Sequence, residues 1–377
     1  MLNSNRVKIA IQAADLDWSR IDGTRVYIIN LLKYFGKLDS TSDFLIYHKS
    51  QFNIELTPPD FPNYKIKTIS APLFWTQTGF AWEVWKDKPD ALWMPMHNAP
   101  ILRSKKTKTF VTIHDLAFKY FPDNFPKKDL FKLNLLTDMA VRNSDKLIAI
   151  SEATKKDILK FYPKIKEDKI KVIYHGFDPE VFFLDRDNQK EGDIKKELGI
   201  SGKYLIYIGA IQPRKNLEVL IMAFNKLKNS QKSDLCLVLA GEKAWLSENT
   251  LKMAQQSPFR DDIKMPGKLK FDDLGRLCRG ASAFVFPSLY EGFGIPVLEA
   301  MAAKVPVISA NNSSLPEVGG EASLYFDAAN ADDLADKIKS VLTDENLRND
   351  LIAKGLEQIK KFSWEKCAKE TLDYLKS

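Results

Sequence analysis

Sulfur and histidine are scarce in this chain. Its 377 residues include three cysteines, Cys236, Cys278 and Cys367, with no CxxC pair among them, and four histidines. So sparse and odd a cysteine set argues against a disulfide framework or a zinc site and fits a reducing, cytoplasmic compartment. No apolar run reaches the roughly 18 residues that a membrane-spanning helix needs. The start, Met1-Leu-Asn-Ser-Asn-Arg6 and then Val7-Lys-Ile-Ala-Ile11, reads as the approach to a first strand; a signal peptide would have a longer apolar core. A GxGxxG fingerprint for dinucleotides is also missing.

What is present is ordinary globular composition, 45% hydrophobic and 28% charged, over a length that implies two domains. The net charge of +7 is concentrated in Arg103-Ser-Lys-Lys-Thr-Lys108, Lys127-Lys128 and Lys155-Lys156. Such patches are solvated lysine faces or an attraction to anionic lipid, worth about 1 kcal/mol per basic residue near a bilayer. They form no single stripe and no recognised nucleic-acid module accompanies them, so nucleic acid is not expected as a partner.

Short apolar runs alternate with helical ones, the pattern of an α/β fold with parallel sheets. Strands are expected at Val7–Ala13, Phe44–Tyr47, Tyr64–Ile69, Ala91–Met94, Thr109–Ile113 and Lys146–Ile150. Helices are expected at Thr24–Leu38, at Lys127–Asn143 and after Ser151, a candidate N-cap. A second set comprises strands Tyr204–Gly209, Leu235–Ala240, Ala283–Phe286 and Val305–Ser309, with helices Leu217–Lys228, Pro296–Ala303 and Leu334–Thr343. His175-Gly-Phe-Asp-Pro179 and the charged stretch Asp185–Lys196 read as the linker. The expected division is 1–178, 179–360 and a last helix within 361–377 that has no sheet partner of its own.

The most informative segment is Glu291-Gly-Phe-Gly-Ile-Pro-Val-Leu-Glu299. It reads as an exposed acid, a glycine turn that lets a ligand near the backbone, and a helix with proline in its first turn. A helix N-terminus there suits a ligand carrying hydroxyls and negative charge. The strand ending in Gly209 leads to Arg214-Lys215-Asn216, two cations with no carboxylate in the same loop. They fit a diphosphate clamp, although a solvated loop would have the same residues. Thr109–Ile113 ends in His114-Asp115, and His97-Asn98 follows another strand; each could face a substrate hydroxyl or be satisfied by the backbone. Gly23 opens the first helix. Asp15-Leu16-Asp17 is a DxD that could hold a divalent cation, but the two cations already supply neutralising charge, so no metal is expected. Phe74, Trp75, Phe80, Trp82, Trp85 and Trp93 read as core more readily than as a sugar platform.

Together Glu291–Glu299, Gly209…Arg214-Lys215-Asn216 and His114-Asp115 resemble family 4 of the retaining nucleotide-sugar glycosyltransferases. Ile150–Asp157, His175–Asp178, Ser314-Leu-Pro-Glu-Val318 and Phe362-Ser-Trp364 extend the resemblance almost end to end. Thr112–Phe118 and Ser314–Glu317 are similar to bacterial mannosyltransferases of surface-polysaccharide synthesis. The resemblance implies the GT-B fold, two Rossmann-like domains facing across a cleft, with the last helix returning to the first domain. It implies Arg214 and Lys215 on the donor diphosphate and Glu291 with the amides of Phe293, Gly294 and Ile295 on sugar and phosphate. Glu299 would take the ribose, and Gly267-Lys-Leu269 the base. Gly23 would lie near the phosphates, His114 would reach the sugar, and His97, Asn98 and Asp115 would lie on the acceptor side. Gly23-Thr24 departs from the commoner Gly-Gly pair. Expected partners are a nucleotide sugar, GDP-mannose ahead of UDP- or ADP-sugars, a glycan or lipid-linked acceptor, and the inner face of an anionic membrane. No cofactor is expected. A sugar-nucleotide epimerase on the same fold and a non-catalytic sugar-nucleotide or glycan binder remain alternatives.

Overall fold

Runs such as Ile9-Ala10-Ile11 and Tyr204–Ile208 are apolar at consecutive positions, so both faces of the strand must be covered. A computed structural model of the chain describes residues 6–19, 21–71, 73–179, 182, 188–230 and 234–377. Residues 1–5 of the N-terminal approach and residues 185–187 of the charged linker lie outside these. The fold is α/β, in two compact units: residues 1–122, 126–176 and 362–377, and residues 123–125 with 177–361.

In the first unit a seven-stranded sheet has the order β3-β2-β1-β4-β5-β6-β7. Its strands are β1 Lys8–Gln12, β2 Asp43–His48, β3 Tyr64–Thr68, β4 Ala91–Met94, β5 Lys108–Ile113, β6 Lys146–Ala149 and β7 Ile170–Val172. The pairings are parallel throughout. Helices α1 Gly23–Leu38, α2 Gly79–Asp87, α3 Ala117–Tyr120, α4 Lys127–Asn143 and α5 Glu152–Phe161 connect them. Ser151 is the N-cap of α5, its side chain accepting from the Thr154 N–H.

The second unit carries a six-stranded parallel sheet ordered β10-β9-β8-β11-β12-β13. The strands are β8 Tyr204–Ile208, β9 Cys236–Ala240, β10 Ile263–Gly267, β11 Ala283–Phe286, β12 Val307–Ala310 and β13 Ser323–Phe326. Its helices are α6 Asn188–Glu197, α7 Leu217–Ser230, α8 Glu248–Gln256, α9 Phe271–Arg279, α10 Ile295–Ala302, α11 Leu315–Gly319, α12 Ala331–Thr343 and α13 Glu345–Gln358. The last helix, α14 Trp364–Leu375, packs on α1 in the first unit.

Each sheet has a switch point where the strand order reverses, between β1 and β4 and between β8 and β11. Loops leaving the carboxyl ends of strands beside such a point diverge and open a crevice where ligands bind in open α/β sheets. The aromatic run around α2 is a correction to the sequence reading. Trp75, Phe80 and Trp93 are buried, but Phe74, Trp82 and Trp85 are exposed. The reason is helical periodicity: α2 turns Phe80, Ala81 and Val84 inward and leaves the two tryptophans on the opposite side.

The approach of α14 depends on Gly176. A Cβ at this position would lie 2.1 Å from the Trp364 backbone nitrogen, so the two stretches of main chain meet with no room for a side chain. Replacing Gly176 with Ala is expected to cost about 1–3 kcal/mol, the range for overpacking a rigid contact. A lowered urea midpoint would report it; an unchanged one would show that the C-terminal segment tolerates displacement.

Candidate active site

In the second unit, the loop after β8 and the loop after β11 flank the switch point. The first contains Pro213-Arg214-Lys215 as a turn of 3-10 helix, closed by Asn216 at φ 56°. Asn216 tolerates that left-handed backbone because its amide holds it there, donating to the carbonyls of Pro287 (3.0 Å) and Ala328 (2.8 Å). Asn216 is therefore a positioning residue in this structure, buried and turned into the protein. The Leu289 N–H donates to the Arg214 carbonyl at 2.9 Å, tying the two loops together.

Glu291 is not the exposed acid expected from the sequence. Its side chain is only 10% exposed, and it accepts from Lys215 Nζ at 2.6 Å and Arg214 Nη1 at 3.3 Å. The loop carrying the two cations lacks a carboxylate, and the neighbouring loop supplies one. Arg214 also donates to the Tyr290 carbonyl, and Lys215 Nζ lies 5.3 Å from the Phe286 ring centroid. Burial would raise the Glu291 pKa, but Lys215 and Arg214, with Ser288, more than offset it and hold it at about 2. The carboxylate is therefore ionised across the physiological range.

The glycine turn is pinned from behind by Ser313 and Ser314, to which the sequence reading assigned no place in the site, although Ser314 opens one of the segments that carry the resemblance. Ser313 Oγ accepts from the Glu291 N–H at 2.9 Å. Ser314 Oγ lies 2.9 Å from the Glu291 carbonyl and 2.7 Å from that of Phe293. The signal was available, since both serines immediately precede Leu-Pro-Glu317. Phe293 is buried; Gly294 is the N-cap of α10 at φ 111°, and Ile295 is its first residue. Glu299 lies on the second turn of α10, and burial, with the charge of Asp178, pushes its pKa up to about 7.

The strand ends beside these loops are glycines. Gly209, Gly241 and Gly267 follow or close β8, β9 and β10 with φ of 151°, 157° and 75°. A Cβ on Gly241 would fall 1.9 Å from the Gly209 carbonyl oxygen, and the Gly241 N–H donates to the Gly267 carbonyl at 3.0 Å. Leu269, half-buried, lies in the loop that follows Gly267.

The chain matches the sequence profile described as "Glycosyl transferases group 1" over residues 189–358 and "Glycosyltransferase Family 4" over residues 21–181. It belongs to the group 1 glycosyl transferases. The O-antigen chain mannosyltransferase B of Escherichia coli is 29% identical over 271 residues, 71% of this chain and 70% of the relative. The serotype-specific mannosyltransferase WbdA of Escherichia coli is 31% identical over 264 residues, 68% of this chain but only 32% of the relative. Among solved structures, HepE of Anabaena in complex with UDP and glucose superposes with a TM-score of 0.75 at 16% identity, covering 99% of this chain and 100% of that one. The likeness establishes the GT-B fold for this glycosyltransferase.

The first unit of the glycosyltransferase holds its candidate residues more tightly than the sequence suggested. His114 donates its backbone N–H to His97 Nε2 at 2.7 Å, and its own Nε2 lies 2.7 Å from the Pro95 carbonyl. His97 Nε2 is thus an acceptor and its proton sits on Nδ1, toward Thr137 Oγ1 (3.4 Å). His114 carries its proton on Nε2, leaving Nδ1 as the acceptor. His175, read from the sequence as part of the linker, stacks on Tyr27 (4.6 Å between centroids) and meets His114 edge-on at 5.6 Å. Asp115 accepts from the Ala117 N–H at 2.9 Å at the start of α3, and Asn98 donates to Thr76 Oγ1 at 2.9 Å. Gly23 begins α1, but Asp22 caps that helix, accepting from the Arg25 N–H and pairing with its guanidinium.

The two DxD carboxylates serve separate partners. Asp17 accepts the N–H groups of Lys49 and Ser50, both at 2.8 Å, and pairs with His48 at 3.0 Å; Asp15 accepts from Gln12 at 3.2 Å. Among the described residues no group of three or more potential ligands gathers for a metal ion.

Burial lowers the pKa of all three clustered imidazoles: His97 to about 4, with the neighbouring His114 charge adding to it, His114 to a lesser degree, and His175 well below the usual value. The folded state keeps them neutral while the unfolded chain protonates them near 6.5. Their contribution is therefore fully present above that pH and is lost as pH falls below it. Denaturant midpoints for the first unit are expected to drop between pH 7 and 5, and the imidazole NMR signals of His97 and His175 should not titrate over the same range in the folded chain. Ordinary titration near 6.5 would contradict the buried neutral cluster.

Proposed function

We propose that this glycosyltransferase moves a hexosyl group, mannosyl from GDP-mannose, to a glycan or lipid-linked acceptor in cell-surface polysaccharide synthesis, with retention at the anomeric carbon and without a metal. The observation that carries the reading is the convergence of Arg214, Lys215 and Glu291 at the switch point of the second unit. Two cations held by one buried carboxylate form a site for a diphosphate, whose oxygens can take their place beside the cations. Glu291 is then available to a sugar hydroxyl. Stabilising the charge that develops on the departing diphosphate is the main catalytic task for such a site. Sugar transfer passes through an oxocarbenium-like state, and a positioned phosphate is suited to accept the acceptor's proton. The names of similar proteins, two O-antigen chain mannosyltransferases and a serotype-specific mannosyltransferase, support the mannosyl assignment. A peripheral contact with the inner face of an anionic membrane, where a lipid-linked acceptor would lie, belongs to the same reading.

Lys215→Ala and Glu291→Ala are each expected to lose about a hundredfold or more in transfer rate, as for removal of one electrostatic donor. Near-native turnover by either folded variant would overturn the assignment. A thermal-shift panel of GDP-, UDP- and ADP-sugars with and without EDTA tests the donor, since the preferred one stabilises by mass action. A shift with GDP-mannose that survives EDTA is expected; an EDTA-sensitive shift would return Asp15 and Asp17 to consideration. An epimerase would convert the donor with no acceptor present, which NMR of the nucleotide sugar alone would reveal.

Glu299 supplies a pH test. With its pKa at about 7, it is half protonated at neutral pH, and only the carboxylate accepts from both ribose hydroxyls. Nucleotide affinity is expected to rise from pH 6 to 8 and to lose this dependence in Glu299→Gln. An unchanged pH profile in that variant would remove Glu299 from the ribose.

A further inference from the structure

Helix α2 has a second apolar face. Opposite its buried stripe, Trp82 and Trp85 are 61% and 52% exposed and stack on one another with centroids 5.3 Å apart. Just ahead of the helix, Leu73 and Phe74 are exposed as well. The Thr78 N–H returns to the Phe74 carbonyl (3.1 Å) and the Trp82 N–H to that of Thr78 (3.0 Å), so the turn that carries Phe74 leads directly into the first turn of α2. Phe74 is held at φ 49°, a costly backbone for a bulky side chain that stays in water. The Gln77 amide donates to the Ala99 carbonyl at 2.9 Å and accepts from the Ile101 N–H at 2.8 Å. That pair of bonds fixes exposed Ile101 and Leu102 beside the same helix end. Six large apolar side chains gathered on one exposed surface mark an interaction site.

The surrounding charge selects the occupant. The acids of α2 turn toward Lys67: Asp87 pairs with it and takes the Tyr47 hydroxyl at 2.6 Å, and Glu83 lies 3.9 Å from it. Exposed Lys86 and Lys88 stand at the end of α2 and exposed Lys105 and Lys106 follow Ile101-Leu102 along the chain, Lys86 being 3.9 Å from Glu83. A second copy of the chain would bring these lysines against their own kind. An anionic bilayer opposes them with negative headgroups and offers indole rings the half-apolar layer they favour. No described helix is long and apolar enough to cross a membrane, so the contact is one that lies on the surface.

We propose that the outer face of α2, with Leu73-Phe74 and Ile101-Leu102, is the surface by which the first unit rests on an anionic lipid layer. The placement rests on the membrane contact proposed above, and the experiment separates the two. The full chain is sedimented with vesicles of phosphatidylcholine alone or mixed with phosphatidylglycerol, at low and high salt. Binding to the mixed vesicles at low salt is expected, and Trp82→Ala/Trp85→Ala should weaken it by about tenfold or more, because interfacial affinity follows buried apolar area. Lys127→Ala/Lys128→Ala, on α4, should bind more nearly as the native chain does. If the native chain binds neither vesicle, the membrane reading itself fails. If it binds and the tryptophan variant binds equally well, the contact lies elsewhere and this placement fails. Self-association of the native chain that the same variant abolishes would assign the face to a second copy and overturn the proposal. Unchanged circular dichroism and unchanged transfer to a water-soluble acceptor are expected for the tryptophan variant, which separates lipid binding from the site at Lys215 and Glu291.

Discussion

A buried carboxylate cannot stay ionised without compensation, and Glu291 has it from two sides. Lys215 and Arg214 reach it from a different loop, so the pairing joins the segment after β8 to the segment after β11. Much of the site's architecture follows from keeping that pairing in register. Asn216 closes one loop at a left-handed residue, Ser313 and Ser314 brace the other, and the Leu289 N–H ties the two together. None of these needs to touch a ligand to matter. Removing one partner of such a pair leaves the other charge buried and uncompensated, so a loss of function at Lys215 or Arg214 must be read beside a measurement of folding.

The legibility of the fold followed burial. Central strands such as β1, β4, β8 and β11 are unbroken apolar runs, and their positions could be read within a residue or two. The strands that went unread, β7, β10 and β13, all lie at sheet edges. There one face is wet, the run is short or mixed, and β10 even contains Pro266, which an edge tolerates. Helices with a clear start, such as the one capped by Ser151, were equally plain. The helix α2 was obscured because tryptophan on its outer face mimics the composition of a core.

The site was legible in kind but not in its pairings. Residue types at Glu291, Arg214, Lys215 and Glu299 suggested a polar ligand, yet nothing in the linear order said that the acid already belongs to the cations. His114 stood out at a strand end, whereas His175, some sixty residues on, joins it only through the fold. Asp15 and Asp17 show the converse. Their spacing suggests one shared ligand, and the local backbone sends them to different ones.

The glycines at the ends of β8, β9 and β10 bear on how such an enzyme can diverge. Gly209 and Gly241 stand so close that no side chain can be added to Gly241 without moving the sheet. The floor beside the site is therefore main chain, chemically the same whatever the rest of the sequence does. Variation among relatives has to be written in the loops beyond that floor, such as the one that carries half-buried Leu269. Single substitutions can reshape those loops while the floor stays fixed, so two relatives can share nearly all of this framework and differ in the surface they present around it.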